Sequence, residues 1–140
     1  MSAQRETESD EAALLAAAEG AARNAYAPYS KFRVGSALRT AAGGVFTGCN
    51  VENASYGLTL CAERNAIAAA VAAEGPAMRI AALVVYVDSP EAFPPCGACR
   101  QVIAEFAAPG TAVTFTGGDG ARVTRTTIGE LLPQAFRLPS

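Results

Sequence analysis

Residues 60–87 read LCAERNAIAAAVAAEGPAMRIAALVVYV, and this stretch decides the fold. From Leu60 to Glu74 it is rich in alanine and free of proline, and Gly75-Pro76 then stop it, which predicts a helix. From Arg79 to Val87 it becomes a near-continuous apolar, β-branched run, the pattern of a strand covered on both faces. The helix's second half, AIAAAVAA (Ala66 to Ala73), carries no polar side chain on any face. Such a helix is either central to the fold or pressed against another subunit.

Working outward, Arg33 to Thr40 and Val45 to Glu52 are strand candidates joined by AAGG, a hairpin loop. Asp10 to Ala25 suits a helix with Asp10 as its N-cap, and Pro28 fixes a turn after it. Past the central strand come a short helix (Gly97 to Ala107), two strands (Thr111 to Thr116 and Arg122 to Thr127) split by GGDG, and a helical turn, IGELL, before Pro133. Helix, two strands, helix, strand, helix, two strands is the order of an α/β domain. It predicts a three-layer α/β/α sandwich around one mixed five-stranded sheet, a single domain over residues 12–140. Residues 1–11, MSAQRETESDE, read as an acidic, flexible, solvated tail.

Composition narrows the chemistry. The chain has 140 residues, 51% of them hydrophobic, with 13 acidic and 11 basic side chains, four cysteines and no histidine. A formal charge of −2 argues against a nucleic-acid partner. No apolar run approaches a membrane span, and the run AALLAAA lacks a basic leader, so a cytoplasmic protein is expected. Without histidine there is no Ser-His-Asp triad, no Cys-His pair and no HExxH zinc site. Proton transfer near neutral pH falls to a carboxylate, thiol, amine, phenol or metal-bound water.

Three cysteines fall in two tight groups, Cys61-Ala-Glu63 and Pro95-Cys96-Gly-Ala-Cys99, each opening a predicted helix. A C-x-x-C at a helix start puts two sulfurs on one face, and helix N-termini favour thiolate over thiol. Two such ends converging offer three ligands to a zinc ion that prefers four, the pattern of a catalytic rather than a structural site. Glu63, two residues past Cys61, either moves protons beside the metal or serves only the helix dipole. Cys49 alternates with Val45, Thr47 and Val51, away from Asn50 and Glu52, and reads as a small, buried core residue.

Three blocks then carry a resemblance. PYSKFRVGSAL (Pro28 to Leu38), GCNVENASYGLTLCAERNA (Gly48 to Ala66) and PPCGACRQVIAEF (Pro94 to Phe106) resemble the small zinc-dependent cytidine deaminases, over a span from Ala13 to LLPQAF. The resemblance implies their fold and one Zn²⁺ per chain held by Cys61, Cys96 and Cys99. It implies hydrolysis of cytidine and deoxycytidine to uridine and deoxyuridine in pyrimidine salvage, with Glu63 carrying protons. Asn50 and Glu52 resemble the ribose contacts, Phe32 and Ala62 residues of the base pocket. It also implies a homotetramer in which Ala54, Tyr56 and Phe136 reach a neighbour's site, although Tyr56 and Phe136 read equally as interface packing. Zinc with three thiolates carries one net negative charge, which a neutral three-imidazole shell does not. Arg64 and Arg100 stand near the ligands and either offset that charge or pair at the surface. Two other readings fit part of the pattern: a zinc deaminase of blasticidin or guanine, and a binding module with a structural Cys₄ zinc, which requires Cys49 in the shell.

Overall fold

The central strand of the chain, Ile80–Val87 (β3), pairs with Val34–Thr40 (β1) on one side and Ala112–Thr116 (β4) on the other. Val45–Cys49 (β2) and Val123–Thr127 (β5) close the edges, giving the order β2-β1-β3-β4-β5. The β3–β4 pairing is parallel and the other three are antiparallel, so the sheet is mixed as expected. Among the described residues there are four α-helices, α1 (Ala3–Ala22), α2 (Ala62–Glu74), α3 (Gly97–Phe106) and α4 (Ile128–Leu131), and a short 3-10 turn at Tyr56–Leu58. This computed structural model describes residues 3–118 and 122–139, so the first two residues of the predicted tail and the end of GGDG lie outside the described residues.

The alternation of β1 and β3 divides the core into two layers. Ala37, Val84 and Tyr86 meet Leu14, Ala18 and Ala22 of α1 on one face. Leu38, Leu83 and Val85 meet Ala66, Ile67 and Ala70 of α2 and Ile103 of α3 on the other. The outer face of α2 stays bare: Ala68, Ala69, Ala72 and Ala73 are all exposed. Among the described residues no helix is long and apolar enough to cross a membrane.

Helix α1 corrects the expected boundary. It starts at Ala3, so Asp10 lies inside it rather than capping it, and residues 3–11 are helical rather than a loose tail. The reason is tertiary. Asp10 ion-pairs with Arg39 of β1, and Glu11 takes Arg125 of β5 in a two-pronged bond, Nη2 to Oε1 2.7 Å and Nε to Oε2 3.0 Å. Contacts with the inner strand β1 and the edge strand β5 override the polar composition of these turns.

Two glycines let the helices press onto the sheet. A Cβ on Gly35 would stand 1.8 Å from the Ala18 carbonyl oxygen of α1. One on Gly48 would stand 2.5 Å from both the Ala62 carbonyl oxygen and the Ala66 amide nitrogen of α2. Both obstacles are backbone, which cannot rotate away. Gly48→Ala is therefore expected to lower unfolding free energy by about 1–3 kcal/mol, read from a urea transition; an unchanged midpoint would show that α2 stands off at no cost.

Candidate active site

The site is built where α2 and α3 begin. Cys61 is the N-cap of α2 and Cys96 the N-cap of α3, and neither spends its side chain on capping. Cys99 sits in the first turn of α3. The three Sγ atoms lie within 4.8 Å of one another, and those of Cys61 and Cys96 are 4.0 Å apart. Thiolates on one tetrahedral zinc at about 2.3 Å stand roughly 3.8 Å from each other, so this donor set fits that ion in number, softness and spacing. Cys49 lies outside the group. It is half-buried rather than enclosed, because β2 is an edge strand whose outward face is open.

One cationic side chain, Arg64, faces the sulfurs. Nη2 of Arg64 donates to Cys61 Sγ at 3.2 Å, and the buried Nε of the same guanidinium has no partner among the described residues. Hydrogen bonds from Cys99 and Arg64 lower the Cys61 thiol to about 5. Cys99, which keeps its proton to serve Cys61 and is buried, is pushed the other way. Arg100 does something different: its Nε donates to Pro95 O at 2.8 Å and its Nη1 to Leu131 O at 3.0 Å. It braces the loop before Cys96 against α4 and touches no sulfur.

Glu63 is 5% exposed. Burial raises its pKa, and the negative Cys61 adds to the effect. Its neighbours Cys61, Ala62 and Cys96 line the same cavity, of about 260 Å³, which Phe32 and Phe93 wall with an edge-to-face ring pair, centroids 5.8 Å apart. Val34, Val85 and Val87 supply its apolar side. Thr59 also lines a second hollow, of about 340 Å³, with Tyr29, Ser30, Glu52 and Tyr56.

The polar residues of these hollows are anchored by the chain itself. Asn50 leaves β2 buried, accepting from Val34 N at 2.9 Å and donating to Phe32 O at 2.9 Å, so it fixes the segment that carries Phe32. Glu52 accepts from Tyr29 N (2.9 Å), Ser30 N (3.1 Å) and the Ser30 hydroxyl. The Ser30 hydroxyl in particular holds its carboxyl below the usual range. Tyr56 is 78% exposed yet borders the Glu52 hollow of its own chain, in ring contact with Tyr29. Ala54 is exposed and borders neither hollow. Phe136, 69% exposed, is away from both, its carbonyl held by Gln101 Nε2 at 2.9 Å. The sequence reading missed Thr59 and Phe93. An aromatic residue three before Cys96, between prolines and a glutamate, was the available signal for Phe93.

An open shell of three cysteine sulfurs beside a buried glutamate, both facing a cavity of nucleoside scale, defines a zinc-dependent hydrolase of the deaminase type. Residues 8–115 match the family model for the cytidine and deoxycytidylate deaminase zinc-binding region. The chain belongs to the cytidine deaminase family. It is 46% identical to the cytidine deaminase of Halalkalibacterium halodurans over 91% of its own length and 94% of that protein's. A crystal structure of cytidine deaminase from Burkholderia pseudomallei superposes with a TM-score of 0.81 at 50% identity, covering 89% of this chain and 97% of that one. The Mycobacterium tuberculosis enzyme gives 0.79 at 40% identity, covering 92% and 98%.

Arg64→Ala removes the cation facing a negatively charged shell. Zinc affinity is expected to fall about 10–100-fold, measured by competition with a chromogenic chelator. Wild-type retention would show that the guanidinium is not needed to hold the metal.

Proposed function

We propose that the chain hydrolyses the 4-amino group of cytidine and deoxycytidine, giving uridine or deoxyuridine and ammonia. The observation that carries this reading is Glu63, a carboxyl group kept from water beside Cys61 and facing the cavity, its pKa raised by burial. Cys61, Cys96 and Cys99 would hold one zinc ion per chain, which supplies the Lewis acidity that makes water a nucleophile at neutral pH. Glu63 takes a proton from the attacking water and delivers it to ring N3 as the oxygen adds to C4. It then moves the remaining hydroxyl proton to the departing amino nitrogen, and the C4–N bond breaks with its electron pair leaving on ammonia. One water is consumed, one ammonia released, and Glu63 ends as it began.

The two hollows, which share Thr59, suit a base and a sugar. Phe32, 46% exposed, offers a ring to the base. Asn50 spends one amide hydrogen on Phe32 O and keeps the other for a sugar hydroxyl, and Glu52 is an ionised acceptor at the second hollow. A cytoplasmic setting suits a shell of free thiols. The bare alanine face of α2, together with exposed Tyr56, Leu58 and Phe136, supports a homotetramer in which Ala54, Tyr56 and Phe136 reach neighbouring sites. Light scattering on the zinc-loaded protein is expected to give four times the chain mass, and a monomer would sink the shared-site reading.

Glu63→Gln keeps the side chain's shape and removes its proton traffic. Deamination of cytidine is expected to fall by about 10²–10⁴-fold, followed by ultraviolet absorbance, with zinc still at one per chain. Near-normal turnover by this variant would remove Glu63 from the mechanism.

A further inference from the structure

We infer that Phe93 is a specificity-determining residue: its ring is the wall met by C5 of the pyrimidine, and it sets what that position can carry. The inference rests on the cytosine-deaminating reading above and extends it to the substituted bases the site admits.

The ring being transformed sets the geometry. C4 of cytosine has two ring neighbours, N3 and C5, on opposite sides. With C4 toward the three sulfurs and N3 toward Glu63, C5 is turned away from α2. The cavity has one wall from the start of α2, through Cys61, Ala62 and Glu63. Its other helix-borne wall comes from the loop that opens α3, through Phe93, Pro94 and Cys96. C5 then faces the residues that line the cavity away from α2, this second wall together with the buried Val85 and Val87 of β3. There Cys96 belongs to the metal shell, and Pro94 has its ring tied to its own backbone. Phe93 alone presents a large side chain with room to be cut back.

Phe93 is also not a structural filler. It belongs to neither core cluster and is 42% exposed, and its ring meets that of Phe32 edge to face. Shortening it leaves the packed layers of the fold intact. A substituent at C5 adds a methyl-sized volume at the place the Phe93 ring occupies, and a tight apolar wall discriminates one such group by about 10–200-fold.

The test uses zinc-loaded wild type, Phe93→Ala and Phe93→Leu with cytidine, 5-methylcytidine and 5-bromocytidine. A C5 group also changes the ring's own reactivity, but that effect cancels when each variant's ratio to cytidine is divided by the wild-type ratio. For Phe93→Ala the relative kcat/KM of the 5-substituted nucleosides is expected to rise about tenfold or more, with Phe93→Leu in between. Competitive inhibition by 5-bromouridine against uridine is expected to shift in the same direction, a readout of binding that does not depend on turnover. Unchanged ratios, or a loss shared equally by all substrates, would overturn the role of Phe93 while leaving the parent reading intact. If Phe93→Ala does not fold, the same two ratios are read from Phe93→Leu. A wild-type enzyme that leaves cytidine untouched would overturn the parent reading, and this inference with it.

Discussion

Three sulfurs within 4.8 Å of one another cannot all carry charge unless something answers their repulsion, and much of the structure near the site is that answer. Two helices begin there, and the unpaired N–H groups of their first turns put positive potential at the helix ends that carry the sulfurs. Arg64 adds a full positive charge on the helix that carries Cys61. Bringing two helix ends to one point needs a sheet whose β3–α3 connection and β2–α2 connection open on the same side, which the order β2-β1-β3-β4-β5 provides. The metal shell is thus a property of the topology as much as of the three side chains.

The same constraint explains which parts of the site were legible in the sequence. Cys61, Glu63, Cys96 and Cys99 lie in local patterns, a helix stop upstream or downstream and fixed short spacings, and local patterns survive into the fold. Asp10 and Glu11 were misjudged because their partners, Arg39 and Arg125, are 29 and 114 residues away, and no periodicity reports a pairing of that range. Strand alternation turned Cys49 away from the metal, but not into the core, because nothing in a single strand says whether it lies at an edge. Phe93 had no periodicity to betray it. It sits in an irregular loop, and its importance comes from a ring in another loop and from the cavity between them.

Asn50 and Glu52 show a second economy. Both residues are already bonded to main chain, Asn50 to the segment around Phe32 and Glu52 to Tyr29 and Ser30. Residues that would meet a ligand are therefore the ones that hold the loops around it. Ordering costs at this end of the site are met during folding rather than on binding, which is the physical meaning of a preorganised pocket. The cost falls on mutation: changing either residue disturbs the wall as well as the contact.

Gly35 and Gly48 lie on adjacent strands one pair apart, Gly35 opposite Cys49 and Ser36 opposite Gly48, with their open sides facing α1 and α2 respectively. At that spot the sheet is only backbone thick, and a helix rests directly on each side of it. Elsewhere in the sandwich, side chains fill the gap and can change rotamer to absorb a push. Here there is no compressible layer. The first turn of α2, with Cys61 and Glu63, is mounted on a rigid plate, and its stiffness comes from what the two positions lack.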